Sequence, residues 1–453
     1  MRYERKRVLV VGMARSGIAA AQLLLSHGAT PLLNDAKPLY TFGDALKSLT
    51  DTACEFHLGE DPVALLKPCD LVVISPGVPI DAPVVKTAKE KGIPLIGELE
   101  LAASLLQGEM LAVTGTNGKT TTVTLLGKIF ENAGRVTHVA GNIGYPLSSV
   151  ALTSKKRDVI VTEVSSFQLE TIKTFRPVVA ALLNITEDHL NRHGSMEQYT
   201  RLKQRIFENQ TAQDVAVLNM DDPALVRMAE KLKPRVAFFS RTQRVENGAC
   251  VEAGKIVWRW NGETRPICDA DQVLIPGPHN LENALAATAM AAVRDVPAAV
   301  IRHTLQSFAG VEHRIEKVRV LEGVTYYNDS KGTNVDSTIK AVLSMKGPTV
   351  MILGGYDKHT DFSPLCEEIV ASGMIAQAVL IGETAAQIAD SLLAAGFARI
   401  TMADGMEDAV HMARRLAVSG GNVLLSPACA SFDMFRDFEH RGQVFKDIVR
   451  ALP

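Results

Sequence analysis

At 453 residues, with 47% hydrophobic and 22% charged residues, the chain is long enough for about three domains of ~150 residues and too apolar to be mainly disordered. Its 48 Lys and Arg balance 50 Asp and Glu to a net charge of −2, which removes the electrostatic footprint of a nucleic-acid binder. The six cysteines (Cys54, Cys69, Cys250, Cys268, Cys366, Cys429) contain no CxxC pair, so reduced thiols are expected rather than a disulfide framework or a zinc knuckle.

Near the start Arg2, Arg5, Lys6 and Arg7 precede an apolar run, Val8 to Val11, that stops at Gly12, short of the 7–15-residue core, roughly, of a signal peptide. No uncharged apolar stretch approaches the ~18 residues of a membrane span, so a cytoplasmic protein without membrane insertion is expected. From Lys6 onward, strand-like apolar runs alternate with helical patterns, which predicts α/β layers around parallel sheets. The first block has strands at 6–12, 30–34 and 70–74, a helix over 18–26, and closes near residue 97. A second block, 98–309, holds strands at 159–163 and 178–184, an antiparallel excursion near 241–266 and an Ala-rich helix over 280–294. The third, 310–453, has strands near 324–327, 349–353, 378–381, 399–402 and 422–425.

The sharpest local signal is Val113-Thr-Gly-Thr-Asn-Gly-Lys-Thr-Thr121. Gly115 and Gly118 allow the backbone N–H groups to converge on phosphate oxygens, Lys119 neutralises the β/γ-phosphates, and the Thr120 hydroxyl is a Mg²⁺ ligand at a helix start. The strict phosphate-loop pattern has glycine where Val113 stands, and a glycine turn capping a helix is the bland alternative. Asp158–Glu163 reads as a buried strand ending in a carboxylate, either a second Mg²⁺ ligand or a solvated strand end. Gly12-Met-Ala-Arg-Ser-Gly17, with Asp35 after the second strand, resembles a dinucleotide fingerprint in which Ala14 replaces the middle glycine.

In order along essentially the whole chain, further motifs appear: Gly141-Asn-Ile-Gly144, Glu163-Val-Ser-Ser-Phe-Gln-Leu-Glu170, Asn184-Ile-Thr-Glu-Asp-His189, His279-Asn-Leu-Glu-Asn283, Glu312-His-Arg314 and Asn328-Asp-Ser-Lys331. With the phosphate loop, they resemble the Mur ligases, ATP-dependent amino-acid ligases of peptidoglycan precursor synthesis. Gly354-Gly-Tyr-Asp-Lys358, Ser426–Asp433 and Phe438–Gly442 resemble the D-glutamate-adding branch of that family. The resemblance implies an N-terminal Rossmann-like domain (1–97) for the UDP-sugar peptide, a central phosphate-loop ATPase-type domain (98–309) for ATP and Mg²⁺, and a C-terminal Rossmann-like α/β domain (310–453) for D-glutamate. It implies that a monomer joins D-glutamate to UDP-N-acetylmuramoyl-L-alanine through an acyl phosphate.

The same resemblance implies residue roles. Gly115, Thr116, Asn117, Gly118, Lys119, Thr120, Thr121, Asn280, Asn283, Arg314 and Asp329 would bind ATP. Thr120, Glu163, His189 and Lys203 (as a carbamate) would hold metal, and Lys119, His189, Lys203 and Lys358 would be catalytic. Arg15, Ser16, Asp35, Lys37, Ser75, Pro76, Gly77 and Asn142 would meet the UDP-sugar peptide. Lys331, Thr333, Ser431 and Phe438 would form the D-glutamate pocket, and Cys429 within it would be an apolar filler. Ala36 lacks a hydroxyl that relatives offer, and Lys37 stands for an arginine, so bidentate phosphate geometry is lost there. Read without the resemblance, Lys203 is a solvated helix lysine, Arg314 and Asp329 are surface linker charges, and Asn280 and Asn283 are an N-cap and a solvent-facing amide. A nicotinamide-dependent oxidoreductase would leave the phosphate loop unexplained, and a nucleotide switch would leave Lys331, Lys358 and Ser431 without a role.

Overall fold

Short runs such as Val8–Val11, Leu71–Ile74 and Val159–Val161 are apolar at every position, the pattern of strands covered on both faces. In the computed structural model, which describes residues 3–188, 190–358 and 360–453, these runs are central strands of three sheets. The described chain divides into two compact units, Met1–Asp269 with Asn283–Thr304, and Ala270–Glu282 with Leu305–Pro453.

The first unit carries two sheets. One is parallel and five-stranded, in the order Glu55–Phe56, Thr30–Asn34, Arg7–Val11, Leu71–Ile74, Leu95–Gly97. That order reverses direction beside Arg7–Val11, so the chain leaving it at Gly12 and the chain leaving Leu71–Ile74 at Ser75 border one crevice, where open α/β sheets bind ligands. The other sheet has nine strands, with Glu109–Thr114 between Val159–Glu163 and Val179–Leu182, all parallel. Its far edge is the antiparallel meander Gly248–Glu252, Lys255–Trp260, Glu263–Asp269, where the alternating pattern near 241–266 predicts one.

These two sheets share a continuous core. Val8, Val10, Ala20 and Leu24 belong to the same buried cluster as Ala112, Leu147, Val150, Ile160 and Ala180. Glu98–Ala103 joins the sheets and packs on Leu147–Ala151. Inside this junction the Glu100 carboxylate accepts from the backbone N–H groups of Lys173, Thr174 and Phe175, at 2.8–2.9 Å.

The second unit holds a six-stranded sheet ordered Glu316–Leu321, Val324–Asn328, Asn422–Leu425, Thr349–Leu353, Ile375–Leu380, Ile400–Met402. All neighbours are parallel except the first pair. Alternate residues of the strand Thr349–Leu353 enter opposite cores: Met351 and Leu353 pack with Ala378 and Leu424, Val350 and Ile352 with Val379 and Val423. The antiparallel strand Glu316–Leu321 is half exposed and does not alternate regularly in burial, so periodicity in the sequence marks it less clearly than its buried neighbours. The predicted helix over 280–294 runs from Pro278 to Ala292, its start displaced by the proline at the first turn. All six thiols are free, and among the described residues no helix is long and apolar enough to cross a membrane.

Candidate nucleotide and ligase sites

Register decides which side chains meet at the phosphate loop. Val113 pairs with Glu163 on one neighbouring strand and with Ala181 on the other, so the Glu163 carboxylate emerges beside the loop that follows Thr114. The chain turns through Gly118 at φ +85°, a left-handed conformation, and starts the helix Lys119–Asn132. A Cβ on Gly118 would strike Oδ1 of Asn283, so glycine is needed for space as well as for angle. Asn283 also accepts from the Thr122 hydroxyl at 3.3 Å. It is buried against the loop, which corrects the bare reading of it as a solvent-facing amide.

The Thr120 hydroxyl donates to Glu163 Oε2 at 2.8 Å, and Asn142 Nδ2 donates to Glu163 Oε1 at 2.9 Å. Glu163 is 2% exposed, which removes the solvated strand-end reading. Hydroxyl and carboxylate oxygens at a helix start are the hard donors that Mg²⁺ takes. Lys119 Nζ folds back to the carbonyls of Gly115 (2.9 Å) and Thr116 (2.7 Å). Thr116 bonds with Thr186, Asn117 exchanges hydrogen bonds with Asn184, and Thr121 is buried at the helix start.

Lys203, at 2% exposure, is far from the solvated helix lysine of the bare reading. It lies on Met196–Gln204, donates to the Gly115 carbonyl at 2.8 Å, and has its ammonium 4.5 Å from the centre of the Tyr199 ring. Burial, then the charge of Lys119, pushes its pKa well below the usual lysine value, against the opposing pull of Asp188 and Glu163. Tyr199, one helical turn before Lys203, shares a 3.3 Å hydrogen bond with Thr116. No motif in the sequence marks a role for Tyr199; its i, i+4 spacing to Lys203 is the signal that points to it. His189 lies outside the described residues.

In the first sheet, Ser75 Oγ donates to the Gly12 carbonyl at 2.7 Å, closing the crevice between the two strand ends. Asp35 accepts from the backbone N–H of Met13 at 2.7 Å and of Lys37 at 2.9 Å, so its carboxylate holds the glycine loop and its own turn. Arg15 reaches the Gly144 carbonyl, tying this loop to the Asn142 turn. Ser16 and Pro76 are half-buried, while Lys37 and Gly77 are exposed.

In the second unit, Asp329 follows the strand Val324–Asn328 and is buried, which corrects its reading as a surface charge. Ser426 Oγ donates to its Oδ2 at 2.6 Å and the Ile315 N–H to its Oδ1 at 3.2 Å. Burial pushes this carboxyl up to about 7, against Ser426 and the nearby Arg314 charge. Arg314 itself is half-buried. Lys331 holds its ammonium 5.0 Å from the centre of the Phe438 ring, and Thr333 is two residues further along the same turn. Ser431 is buried, and the backbone bridge from Tyr356 to Ala430 brings the exposed Lys358 segment beside it. Cys429 is a buried thiol against Thr384, pushed up to about 11 by burial, and so is inert filler. Arg441, within the Phe438–Gly442 motif but without a role there, is fully buried; it donates to Ser330 Oγ (2.9 Å), Ser330 O (2.7 Å) and Ala430 O (3.1 Å). Asn280 is the third residue of its helix and bonds back to the Pro276 carbonyl at 2.7 Å, so it is no N-cap.

A parallel strand, a glycine turn, a Lys-Thr helix start and a carboxylate on the adjacent strand define a phosphate-loop nucleotide-binding protein. Three family descriptions match in order: the Mur ligase MurD-like N-terminal domain over residues 6–97, the Mur ligase middle domain over 113–291, and the Mur ligase glutamate ligase domain over 313–429. The chain belongs to the Mur ligase family. Among relatives, the UDP-N-acetylmuramoylalanine–D-glutamate ligase of Alkaliphilus oremlandii is 47% identical over 100% of both chains. The protein of the same name from Clostridioides difficile is 46% identical over 99% of both. Among solved structures, MurF ligase from Thermotoga maritima in complex with ADP shares the fold, with a TM-score of 0.61 at 18% identity over 99% of this chain and 96% of that one.

Proposed function

We propose that this chain is an ATP-dependent ligase that joins D-glutamate to UDP-N-acetylmuramoyl-L-alanine in peptidoglycan precursor synthesis. The observation that carries the reading is end-to-end relatedness, at 47% and 46% identity, to proteins bearing that name. The same reading takes the ligase as a cytoplasmic monomer, with residues 1–97 for the UDP-sugar peptide, 98–309 for ATP and 310–453 for D-glutamate.

Under this reading a carboxylate oxygen of the L-alanyl end attacks the γ-phosphorus of ATP. The bond to the departing ADP breaks and an acyl phosphate forms. The D-glutamate amine then attacks the acyl carbon, and the tetrahedral intermediate collapses to an amide, releasing phosphate and a proton. Two anions meet in the first step, so the site must supply cations and oriented donors.

Lys119 is the proposed cation for the β/γ-phosphates, a role supported by its place at the loop, where Nζ donates to the carbonyls of Gly115 and Thr116. Thr120 and Glu163 have the donor chemistry for Mg²⁺, which when bound would screen the phosphate oxygens. Burial beside Lys119 lowers the pKa of Lys203, the direction that eases carbamate formation; together with His189 it is the proposed second metal-binding pair. Asn142 aligns the acyl end beside Glu163. Asn280, Asn283, Arg314 and Asp329 serve ATP. Arg15, Ser16, Asp35, Lys37, Ser75, Pro76 and Gly77 serve the UDP-sugar peptide, and Lys331, Thr333, Lys358, Ser431 and Phe438 serve D-glutamate.

The test is phosphate release from ATP. Release should require UDP-N-acetylmuramoyl-L-alanine and D-glutamate together. Release without either acceptor, or equal turnover with L-glutamate, would overturn the reading.

A further inference from the structure

Between the two sheets of the first unit lies an arginine that no role above uses. Arg192 is clamped by the carboxylate of Glu170, whose side chain is 3% exposed, Nη2 to Oε2 at 2.6 Å and Nε to Oε1 at 3.2 Å, and lies 4.1 Å over the Phe167 ring. Its Nη1 and Nη2 also reach the carbonyls of Pro76 and Val78, each at 3.4 Å. Glu170 and Phe167 follow the strand Val159–Glu163 of the nine-stranded sheet, while Pro76 and Val78 follow Leu71–Ile74 of the five-stranded one. A capping box between Ser165 and Gln168 fixes the short helix that carries Phe167. Arg192 therefore bridges two sheets across a small cavity bounded by Ser75, Pro76, Val78, Phe167 and Glu170.

The contacts continue inward. Glu170 faces His193 at 3.6 Å, and His193 stacks on Tyr199 with centroids 5.3 Å apart. Tyr199 in turn meets Thr116 of the phosphate loop and the Lys203 ammonium. An unbroken series of contacts joins the 75–78 turn to the phosphate loop.

We infer that Arg192 is a positioning residue: it holds the 75–78 turn in register with the phosphate loop and so sets the affinity for the sugar-nucleotide substrate. The inference rests on the proposed reaction and adds a residue to it. All three guanidinium nitrogens are engaged by protein acceptors, so Arg192 acts through the turn rather than on a ligand. A lysine could neutralise Glu170 but could not span the carboxylate and two carbonyls at once, because only the planar fork presents donors on both edges.

The experiment compares Arg192→Lys, Arg192→Ala and Glu170→Gln with the wild type in steady-state kinetics, with melting temperature as the folding control. In Arg192→Lys, KM for UDP-N-acetylmuramoyl-L-alanine should rise about tenfold, since small misplacements of a positioning element are costly. KM for ATP and for D-glutamate should stay within about twofold. Arg192→Ala should follow the same pattern, and Glu170→Gln combined with Arg192→Lys should add little to either alone, because the pair acts as a unit. An unchanged KM for the sugar nucleotide, or an equal rise in all three, would overturn the inference. Wild-type turnover with both acceptors is read first, so a failure of the proposed reaction itself is seen separately.

Discussion

The Thr120 hydroxyl and the Glu163 carboxylate, 43 residues apart in sequence, meet at 2.8 Å because Glu109–Thr114 and Val159–Glu163 are adjacent parallel strands whose pairing brings Val113 opposite Glu163. The contact unites a helix start with a strand end, and the nucleotide chemistry assigned to this chain converges there. Replacing Glu163 by Gln keeps the shape and removes the charge. Phosphate release should then fall about 100-fold with little change in melting temperature, and Lys119→Ala should cost ~3–4 kcal/mol of transition-state stabilisation. Single-turnover phosphate release checks both.

Gly118→Ala tests the loop by geometry alone. The left-handed conformation costs about 1–2 kcal/mol for a residue with a Cβ, and the new methyl would collide with Asn283. Affinity for ADP, measured by calorimetry, should drop together with the unfolding midpoint.

Asp329 makes stability depend on pH. Its carboxyl is raised from 3.8 to about 7 by burial, so the folded state holds a proton that the unfolded state has released between those values. Stability is then full below the unfolded value and declines as pH rises through about 7. At ~1.4 kcal/mol per pKa unit, the wild type should lose on the order of 4 kcal/mol relative to Asp329→Asn between acid and neutral pH. Urea unfolding of both proteins from pH 4 to 8 measures the changing gap.

Arg441→Met tests the buried tether between the Lys331 turn and the Ser431 segment. The substitution leaves the carbonyls of Ser330 and Ala430 without the donor they have now, inside a site closed to water. A loss of about 2–5 kcal/mol in urea unfolding is expected, with a raised KM for D-glutamate.

Much of this molecule was legible before its structure. The buried strands announce themselves by unbroken apolar runs, since a parallel sheet covered on both faces leaves no polar side to alternate with. The antiparallel meander showed itself by alternation, and the phosphate loop by its glycines and the Lys-Thr pair, because backbone angle and phosphate chemistry are both local properties. The half-exposed strand Glu316–Leu321 lacked such a signal, and its neighbours decided its pairing.

Burial of polar groups was the property that local reading misjudged. Lys203, Asp329 and Asn283 look like solvated residues within their own segments, and each is buried by elements distant in the chain. Nothing beside Arg192 marks it in the sequence, and the motif Phe438–Gly442 holds Arg441 without giving it a role; their partners arrive from strands and turns up to 116 residues away. The order of residues determined the layers, the loop and the family to which the chain belongs. Only the tertiary structure decided which ionisable groups lose their water and which of them share a carboxylate or a carbonyl, because desolvation and pairing depend on neighbours that sequence distance does not specify.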